Sequence, residues 1–460
     1  MITLELTDFF PYVSRTLESV FCFTIFRVPL IILWVIYLGI FCTLKFKFVN
    51  IRLFKHALHI LAKPQNKKDS NTISNIQAFI TAISGTIGLG TISGVVIAIS
   101  TGGPGAVLWM IIIGILGMSV KFAEVTLGFK YYLLEKKNNI GGPFQYIRCG
   151  LVELGLLKTG KTVAYIYAVT MIIAMSFGGI SFQSNQATVL LSNTFHQVNS
   201  SVIVLILTLL SGLVIIGGIT RIAKIMTTLS PIMVILYITI CTAVIISNSD
   251  QLLHTFNIMI HGMLEGNSMT GGAIGSLIAG VRRSIFANEA GVGTSPIIHA
   301  STDETEPVRV GCIAMLEPFI DTVLVSFITG IVVILTGSYS TISSSNHVIT
   351  INNIFSNICP IFQYMIFPSI VFAFSFSSII TYSYYCEISW KYILENSRHV
   401  VLCRILIMCI IIISGLSKNI IPISQLGDLL FIFLTIPNGI TIILLSNIIN
   451  QELKTYLSKL

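Results

Sequence analysis

The chain has 460 residues, of which 54% are hydrophobic and only 10% are charged, and its formal net charge is +8. With a mean hydropathy of +0.88, its apolar surface does not fit inside soluble cores, so most of it must face lipid or other buried helices. An ordinary soluble protein is excluded, and the basic residues are better explained by membrane topology than by nucleic-acid binding.

Long apolar stretches recur along the chain with short polar breaks between them. Each is about 18 residues or longer, which lets a helix cross roughly 30 Å of hydrocarbon. We predict about eleven spans, near residues 27–45, 76–100, 104–132, 161–193, 200–218, 222–247, 252–286 (interrupted), 313–337, 354–386, 399–416 and 423–449. Segment 141–154 is too short to cross, and we predict a helix there at the membrane surface. The sequence therefore predicts an all-α integral membrane protein.

The distribution of Lys and Arg predicts the orientation of these spans. Basic residues accumulate in cytoplasmic loops and should fall in every second gap between spans. Their groups lie near residues 45–68, 136–158, 221–224, 282–309, 391–404 and 454–459. With an odd number of spans, this alternation predicts that the N-terminus is outside and the C-terminus is cytoplasmic.

Two apolar segments are rich in glycine: GTIGLGTISG at 85–94 and GGAIGSLIAG at 271–280. Glycine weakens a helix interior, so each run is predicted to interrupt its helix within the membrane. The alternative for either run is that small residues allow close helix packing. Each run opens a set of about five spans, the two sets running in opposite orientations. Paired interrupted helices of this kind are typical of the central site of a secondary transporter.

The ninth span carries a cluster of hydroxyl groups in an otherwise apolar helix, at Ser375, Ser377, Ser378, Thr381 and Ser383. Hydroxyl oxygens together with backbone carbonyls suit a hard monovalent cation such as sodium. The alternative is that each hydroxyl bonds a carbonyl of its own helix. A cluster that faces a broken helix favours the cation site.

Charged residues within the spans are few. Glu317 and Asp321 are one turn apart on one helical face, and Lys121 is spaced to pair with Glu124. Because residue 317 follows a predicted cytoplasmic loop, we expect both acids at the membrane interface. There they would serve gating or structural pairing rather than a proton relay.

The polar segment RRSIFANEAGVG at 282–293 is a candidate inner gate. Closure would involve Arg282, Arg283, Asn288 and Glu289. The alternative is a solvated cytoplasmic loop.

Two common enzyme signatures, HExxH and GxSxG, are missing from the sequence. The glycines of 85–90 follow no predicted strand, so we do not interpret them as a nucleotide-binding loop. We predict a protein that is not an enzyme, has no cofactor and uses an ion gradient.

Several stretches together identify a family. They are SNIQAFITAISGTIGLGTISGVVIAISTGGPGAVLWM (74–110), KFAE (121–124), GGPFQYI (141–147), QSN (183–185), GGITRIAK (217–224), RRSIFANEAGVGTSPIIHA (282–300), EPFIDT (317–322) and FSFSSIITYSYYCE (374–387). Through them the chain resembles the alanine or glycine:cation symporter family, also called sodium:alanine symporters, over nearly all of its length beyond the first span. The NEAGVGTSPIIHA block together with GGPGAVLWM is specific to that family.

The resemblance implies a leucine-transporter-type fold, in which two sets of five helices form an inverted repeat, with one extra helix before them. We expect residues 1–70 to form the N-terminal segment and 71–250 the first repeat. The second repeat would then be 251–450 and the cytoplasmic tail 451–460. The resemblance also implies a multi-pass protein of the bacterial inner membrane.

The resemblance further implies which residues bind ligands. Sodium would be held by the carbonyls of Ser84 and Ile87 and the hydroxyls of Ser377 and Ser378. The substrate would contact Gln77, Gly88, Leu89, Gly90, Thr91, Gln183, Gly271, Gly272, Ala273 and Tyr382. Within this set, the break at 88–90 would receive the substrate carboxylate, and 271–273 would close the other side.

The chain departs from the family's usual pattern at the first break. Where most members read RVGTGNIAG, it reads TIGLGTISG, and Tyr382 stands in place of the usual Trp. These departures bear on substrate identity.

The function that the resemblance implies is sodium-coupled symport of a small neutral amino acid, alanine or glycine, into the cell by alternating access. One alternative is a same-fold transporter of another small amino acid or metabolite, including a proton-coupled one. A second is a channel or sensor without coupled transport. The expected partners are the substrate, sodium or a proton, and the lipid bilayer, with neither nucleic acid nor an obligate protein partner.

Overall fold

The computed structural model describes residues 24–25, 28–63, 72–135, 140–264, 272–341, 347–356, 360–394, 399–417 and 421–460. Two short strands, Thr24–Ile25 (β1) and Val28–Pro29 (β2), pair antiparallel at the start of these ranges. Helices follow. The predicted contact residue Gly271 lies outside the described residues.

The helices up to residue 247 are Leu30–Lys45 (α1), Val49–Arg52 (α2), Phe54–Ala62 (α3), Asn75–Thr86 (α4), Leu89–Gly102 (α5), Ala106–Leu134 (α6), Pro143–Glu153 (α7), Leu157–Ile173 (α8), Ser181–Thr194 (α9), Ser200–Ile215 (α10) and Gly218–Ser247 (α11). The later helices are Leu252–Leu264 (α12), Gly272–Asn288 (α13), Ser295–His299 (α14), Pro307–Ala314 (α15), Leu316–Pro318 (α16), Phe327–Leu335 (α17), His347–Ser356 (α18), Phe367–Leu394 (α19), Val400–Gly415 (α20), Ile421–Leu444 (α21) and Ser446–Leu457 (α22). Short π-helical turns occupy Ala174–Ile180, Phe319–Ser326 and Phe362–Ile366, and 3₁₀ turns occupy Ser249–Gln251 and Ser338–Thr341.

In the part of the chain that the structure describes, seven helices are long and apolar enough to cross a membrane. They are Asn75–Gly102, Ala106–Leu134, Leu157–Thr194, Gly218–Ser247, Pro307–Leu335, Phe362–Leu394 and Gln425–Leu444. Shorter apolar helices are Leu30–Lys45, Ser200–Ile215 and Val400–Gly415. Together with segment 272–299, which is broken into two helices, they agree with the predicted all-α membrane protein of about eleven spans.

Two broken helices run antiparallel through the centre of the bundle. We call α4 and α5 the first broken helix, and α13 and α14 the second broken helix. At one end Ile73 pairs with Thr302. At the other end the helices touch so closely that a Cβ added to Gly102 would lie 2.5 Å from the Cβ of Ala279. This antiparallel contact of matching helices is what an inverted repeat requires.

Basic side chains gather at the end of the bundle that carries Ile73 and Thr302, which we call the basic end. Contacts between loops and helices define it: Lys45 with Asn447 at 3.0 Å, Lys130 with Glu452 at 2.7 Å, Arg309 with Glu304 at 3.1 Å and Lys459 with Glu306 at 2.7 Å. Members of three predicted basic groups, Lys45, Arg309 and Lys459, therefore lie at one end of the bundle, and the orientation of that end stays a prediction.

Arg282 and Arg283 do not lie at the basic end. The sequence pattern assigns them to a cytoplasmic loop, but both lie inside α13, between its start at Gly272 and its end at Asn288. They are separated from the basic end by the break that follows Asn288. The prediction of a loop here is wrong, because the polar residues extend a helix whose other faces are apolar and buried.

Candidate functional site

The first break lies at Ile87 and Gly88, within the run where glycines predict it. Ile87 ends α4 with a ψ of 87°, and Gly88 is extended, with φ −136° and ψ −155°, before α5 begins. Because the helix is interrupted here, carbonyls at the end of α4 and backbone N–H groups at the start of α5 have no hydrogen-bond partner within their own helix. Residues 81–96 are all buried. The break is therefore enclosed by protein, as a binding site within the membrane requires.

Gln77 does not reach this break. Its side-chain oxygen accepts a bond from the backbone N–H of Ser74 at 3.1 Å, and its own backbone N–H donates to the Ser74 hydroxyl at 3.3 Å. This reciprocal capping box starts α4 at the basic end. Eleven residues of helix separate Gln77 from Gly88, or roughly 16 Å at 1.5 Å per residue. The structure therefore separates Gln77 from the other predicted substrate contacts.

The hydroxyls of the ninth span converge on the first break. Ser377 and Ser378 donate to the carbonyl of Ser84 at 3.1 Å and 3.2 Å. The Ser84 hydroxyl lies 3.2 Å from that of Thr381. Ser377 also bonds a carbonyl of its own helix, at Phe374, so the local capping that the sequence leaves open occurs as well. Oxygens from two helices nevertheless meet at one buried point beside Ile87.

Gln183 fills the gap beside the break. Its side-chain oxygen accepts the backbone N–H of Leu89 at 3.1 Å. A Cβ added to Gly88 would lie 2.7 Å from the Gln183 nitrogen and 2.4 Å from the Ser378 hydroxyl oxygen. The π-helical turn 174–180 precedes this part of the helix, and such turns often occur at functional sites. A side chain at position 88 would displace the Ser378 hydroxyl and the Gln183 amide from the break.

Aromatic rings cover the break on the side away from the basic end. Phe286 contacts Phe182 and Phe431, with ring centroids 5.5 Å and 5.3 Å apart. Tyr382 packs on Phe431 at 6.4 Å. A Cβ added to Gly90 would lie 2.9 Å from the Phe286 ring. Sequence reasoning missed Phe182, Phe286 and Phe431, because an aromatic residue in an apolar span carries no distinguishing local signal.

The second break does not lie in the glycine run that predicts it. Residues 272–288 form a continuous helix, so the prediction of an interruption within 271–280 is wrong for the described part of that run. A Cβ added to Gly280 would lie 2.6 Å from the carbonyl oxygen of Ala106, which shows that the run serves close packing. Gly272 and Ala273 lie at the start of α13, roughly 24 Å of helix from Asn288.

The interruption instead occupies residues 289–294. Glu289, Gly291 and Gly293 have positive φ values of 54°, 88° and 82°. Asn288 closes the helix, because its side-chain oxygen accepts the backbone N–H of Ala290 at 2.9 Å. The Glu289 carboxylate accepts the Thr294 hydroxyl at 2.5 Å. The segment NEAGVG is therefore a buried break and not a solvated loop.

On the side towards the basic end, a network of buried charged residues connects the second broken helix to helices α6 and α16. Lys121 donates to the Ser295 hydroxyl at 2.6 Å and lies 3.6 Å from Glu124 and 3.5 Å from Glu317. His299 contacts Glu317 at 2.7 Å. The predicted pairing of Lys121 with Glu124 is confirmed, and Glu317 completes the network.

A second set of bonds holds the backbone of the break. Gly291 donates its N–H to Glu124 at 3.1 Å, and its carbonyl accepts Asn438 at 2.7 Å. The hydroxyl of Tyr167 donates to the carbonyl of Val292, and that of Tyr146 donates to Asn438. Free backbone groups at the break are thus satisfied by side chains from three other helices.

Glu317 and Asp321 are both fully buried, with 0% relative exposure, inside the candidate span Pro307–Leu335, and their position relative to the membrane interface stays a prediction. Burial is possible because polar partners surround each of them. Asp321 accepts the Thr91 hydroxyl at 2.5 Å, which links the π-helical turn 319–326 to the first broken helix. A gating or pairing role for the two acids remains a prediction.

On the opposite side of the breaks, Arg283 is ion-paired with Asp428 of α21. The Arg283 guanidinium carbon lies 5.3 Å from the ring centroid of Phe286. This places Arg283 above the aromatic cover of the first break, on the side away from the basic end. A gating role for Arg283 stays a prediction, and the structure places the residue on the side away from the basic end. Sequence reasoning missed Asp428, which lies 145 residues away along the chain.

The stretch GLLKTGKT at 155–162 matches the phosphate-loop pattern GxxxxGK[ST]. Its Gly160, Lys161 and Thr162 lie inside α8, and helix α7 precedes it, so no strand leads into a glycine-rich loop. The pattern is a chance match, and the expectation of gradient-driven transport is unaffected.

The enclosed double break within an antiparallel pair of membrane helices defines a secondary transporter of the leucine-transporter fold. The structure is similar to that of MhsT in complex with L-phenylalanine, with a TM-score of 0.59 over 83% of this chain and 90% of that one, at 15% identity. At this identity the likeness shows the fold alone.

The model of the sodium:alanine symporter family matches residues 14–460, and the chain belongs to that family. The chain is 31% identical to the probable sodium/glutamine symporter GlnT of Bacillus subtilis, over 93% of this chain and 87% of that protein. It is 29% identical to the sodium/alanine symporter AgcS of Methanococcus maripaludis, over 91% and 92% of the two chains. Family and fold are those of transporters and not of enzymes, and the expected resemblance is confirmed.

Proposed function

We propose that this chain couples the entry of a small neutral amino acid, alanine or glycine, to the inward movement of sodium. The observation that carries the proposal is the convergence of the Ser377 and Ser378 hydroxyls on the Ser84 carbonyl at the first break. Sodium bound there would be coordinated by the carbonyls of Ser84 and Ile87 and by both hydroxyls. Hard oxygen donors from two helices suit this ion without a carboxylate.

The substrate would bind at the start of α5. The backbone N–H of Leu89, now bonded to Gln183 at 3.1 Å, is a donor at the positive end of a helix, where a carboxylate is stabilised. A substrate carboxylate would replace the Gln183 oxygen as its acceptor. The remaining contacts would come from Gly90, Thr91 and Tyr382.

The size of the substrate follows from the same contacts. A Cβ added to Gly88 would lie 2.4 Å from the Ser378 oxygen and 2.7 Å from the Gln183 nitrogen. A Cβ added to Gly90 would lie 2.9 Å from the Phe286 ring. A compact side chain, such as that of alanine or glycine, fits these constraints best. Tyr382, with a hydroxyl next to Glu289, gives the pocket a polar wall.

Alternating access would use the two sets of contacts on opposite sides of the breaks. The ion pair of Arg283 with Asp428 would close one side, and the network around Lys121 and Glu317 would close the other. We propose that repeats 71–250 and 251–450 rock about the two broken helices. The basic end faces the cytoplasm of a bacterial cell, and the N-terminus faces outside.

Uptake of labelled alanine into proteoliposomes tests the proposal. An inward sodium gradient should drive accumulation, and an ionophore that dissipates the gradient should abolish it. Unlabelled glycine should compete, and glutamine should compete less well because of its size. Accumulation that is equal with and without the sodium gradient rejects sodium coupling, and failure of every neutral amino acid to compete rejects the substrate class.

A further inference from the structure

A short amphipathic segment follows α1 at the basic end. Helix α1 ends at Lys45, and the chain then turns at Lys47 and Phe48, which both have left-handed backbone conformations, with φ of 54° and 56°. Such conformations are unfavourable for residues other than glycine, so surrounding contacts must hold the turn. The N–H of Phe48 donates to the carbonyl of Thr43 at 2.7 Å, and the guanidinium of Arg52 donates to the carbonyl of Lys47 at 3.3 Å. We call residues 47–63, which comprise this turn, α2 and α3, the basic segment.

One face of the basic segment is packed against the rest of the protein. Four of its apolar side chains are buried: Val49, Leu53, Ala57 and Ile60. The ring of Phe54 meets that of Phe319 edge to face, with centroids 4.9 Å apart. The ring of His56 contacts the hydroxyl of Tyr456 at 2.8 Å. The segment is therefore a fixed part of the structure, and these contacts determine which side chains form its opposite face.

The opposite face carries basic and apolar side chains together. Its exposed basic residues are Lys47, Arg52, Lys55, His59 and Lys63. Among them lie Phe48, Ile51 and Leu58, which are 48%, 68% and 48% exposed. In α3 the exposed Lys55, Leu58 and His59 recur at helical spacing, so charge and apolar surface share one stripe. This combination is typical of a helix in the membrane interface, where apolar side chains enter the acyl region and basic side chains reach the headgroups.

Acidic residues within the segment do not balance its charge. Between residues 43 and 68 the sequence contains several Lys and Arg but neither Asp nor Glu. Elsewhere at the basic end, Lys130 and Lys459 are each paired with a glutamate. In contrast, no ion pair between two described residues includes Lys47, Lys55 or Lys63. The face therefore presents net positive charge.

The same surface disfavours a further positive charge. Burial, and then the positive charges of Arg309, His59 and Lys63, lower the pKa of His56 below its usual value. Charges that oppose the protonation of a neighbouring side chain favour an anion at the same place. The anion that suits this face also covers exposed apolar side chains.

We propose that the basic segment binds an anionic phospholipid, with the phosphate at its basic side chains and the acyl chains along Phe48, Ile51 and Leu58. A free phosphate ion would leave those three apolar side chains exposed to water, so the lipid is the better occupant. The position also suits a lipid. Helix α1 is apolar up to Leu44, which is 58% exposed, so the membrane surface is expected where the basic segment begins. The inference does not depend on which substrate or ion the protein transports.

The binding of single lipid molecules to the purified, full-length protein tests this site. Native mass spectrometry counts bound lipids as phosphatidylglycerol or phosphatidylcholine with the same acyl chains is added. The ratio of the two first binding constants measures the preference for the anionic headgroup. Arg52→Gln/Lys55→Gln removes two charges of the segment. The matched control Arg221→Gln/Lys224→Gln removes an exposed Arg and an exposed Lys at the same spacing elsewhere.

The wild type and the control should both prefer phosphatidylglycerol. The segment variant should lose at least about fivefold of that preference, which corresponds to about 1 kcal/mol for a basic residue at an anionic membrane surface. Lys55→Gln/Lys63→Gln keeps the bond from Arg52 to the turn and gives the same measurement should the first variant not fold.

Three results overturn the proposal: equal binding of the two lipids by the wild type, an unchanged preference in the segment variants, or an equal loss of preference in the control. Competition with soluble anions separates the lipid from a free phosphate. Inorganic phosphate and glycerol phosphate should not displace phosphatidylglycerol at similar concentrations. Displacement by either one would show that the acyl chains contribute nothing, which also overturns the assignment of a lipid.

Discussion

The guanidinium of Arg283 and the carboxylate of Asp428 form an ion pair that joins the second broken helix to the last span. Their side chains are 10% and 14% exposed, so the pair is largely shielded from water. It lies above the aromatic cover of the first break, because Arg283 also stacks over Phe286. Ion pairs of this burial are costly to break by removing one partner. The pair is therefore placed to hold one side of the transporter closed.

Replacing Asp428 by Asn should weaken this closure. The closed form would lose the charge interaction while the open form, in which Arg283 meets water, is unaffected. We expect the KM for amino-acid uptake to rise roughly tenfold, which corresponds to about 1.4 kcal/mol. The control is Glu452→Gln, which breaks the partly exposed pair with Lys130 at the basic end. Equal KM values for the two variants would contradict a gating role.

Replacing Ser378 by Ala should weaken sodium binding at the first break. The variant loses one of the proposed oxygen ligands while the fold keeps its buried packing. The sodium concentration for half-maximal uptake should rise roughly tenfold, as expected for loss of one polar contact to a charged ligand. Ser369→Ala is the matched control, because Ser369 is exposed on the same helix and bonds only the carbonyl of Met365. If both variants show the same sodium dependence, Ser378 is not a ligand.

Replacing Gly88 by Ala should abolish uptake without unfolding the protein. The added Cβ would lie 2.4 Å from the Ser378 oxygen and 2.7 Å from the Gln183 nitrogen, so both proposed site side chains must turn away from the break. Gly94→Ala on the same broken helix is the control, because the nearest atom to its added Cβ is the Arg283 Cδ at 3.8 Å, an ordinary contact. Uptake by Gly88→Ala at the level of Gly94→Ala would show that the break tolerates a side chain.

The sequence predicted the first break and its facing serines because both are local signals. Gly88 stands in a glycine run, and Ser377 and Ser378 are hydroxyls in an apolar helix. The second break was missed at 289–294 because it begins at Glu289, a non-glycine residue in a left-handed conformation. Glycine content alone does not separate a break from a close packing contact, and at Gly280 the packing contact is the one observed.

Tertiary partners account for the rest of what sequence reasoning missed. The carbonyl of Gly291 bonds Asn438, and Arg283 pairs with Asp428, across 147 and 145 residues. No periodicity along the chain relates such positions. The burial of Glu317 and Asp321 was also not predictable, because it depends on partners such as His299 and Thr91.

Replacing Lys121 by Met should lower the stability of the folded protein. The substitution keeps the length of the side chain but leaves Glu124 and Glu317 buried without their cation. Breaking a buried pair in this way costs about 3–5 kcal/mol. The melting temperature of the purified protein measures the effect. Lys130→Met is the control, since its pair with Glu452 is partly exposed, and equal melting temperatures would show that Lys121 does not stabilise the second break.

Acidification should loosen helix α18 through His347. Burial, and to a lesser extent the positive charge of Arg283, lower the pKa of His347 to about 4 from its usual 6.5. The packed helix therefore favours the neutral ring, whereas a detached helix takes up a proton below about pH 6.5. Stability of the packed form is complete above pH 6.5 and falls as the pH drops towards 4.

Hydrogen exchange of the amides of α18 measures this loss of stability. After correction for intrinsic rates, protection of residues 347–356 should be lower at about pH 5 than at about pH 7.5, and His347→Asn should remove most of that difference because its side chain does not titrate in this range. The amides of α10, which carries no His in its sequence, provide the internal control. An equal decrease of protection in wild type and His347→Asn would show that another group governs the opening of α18.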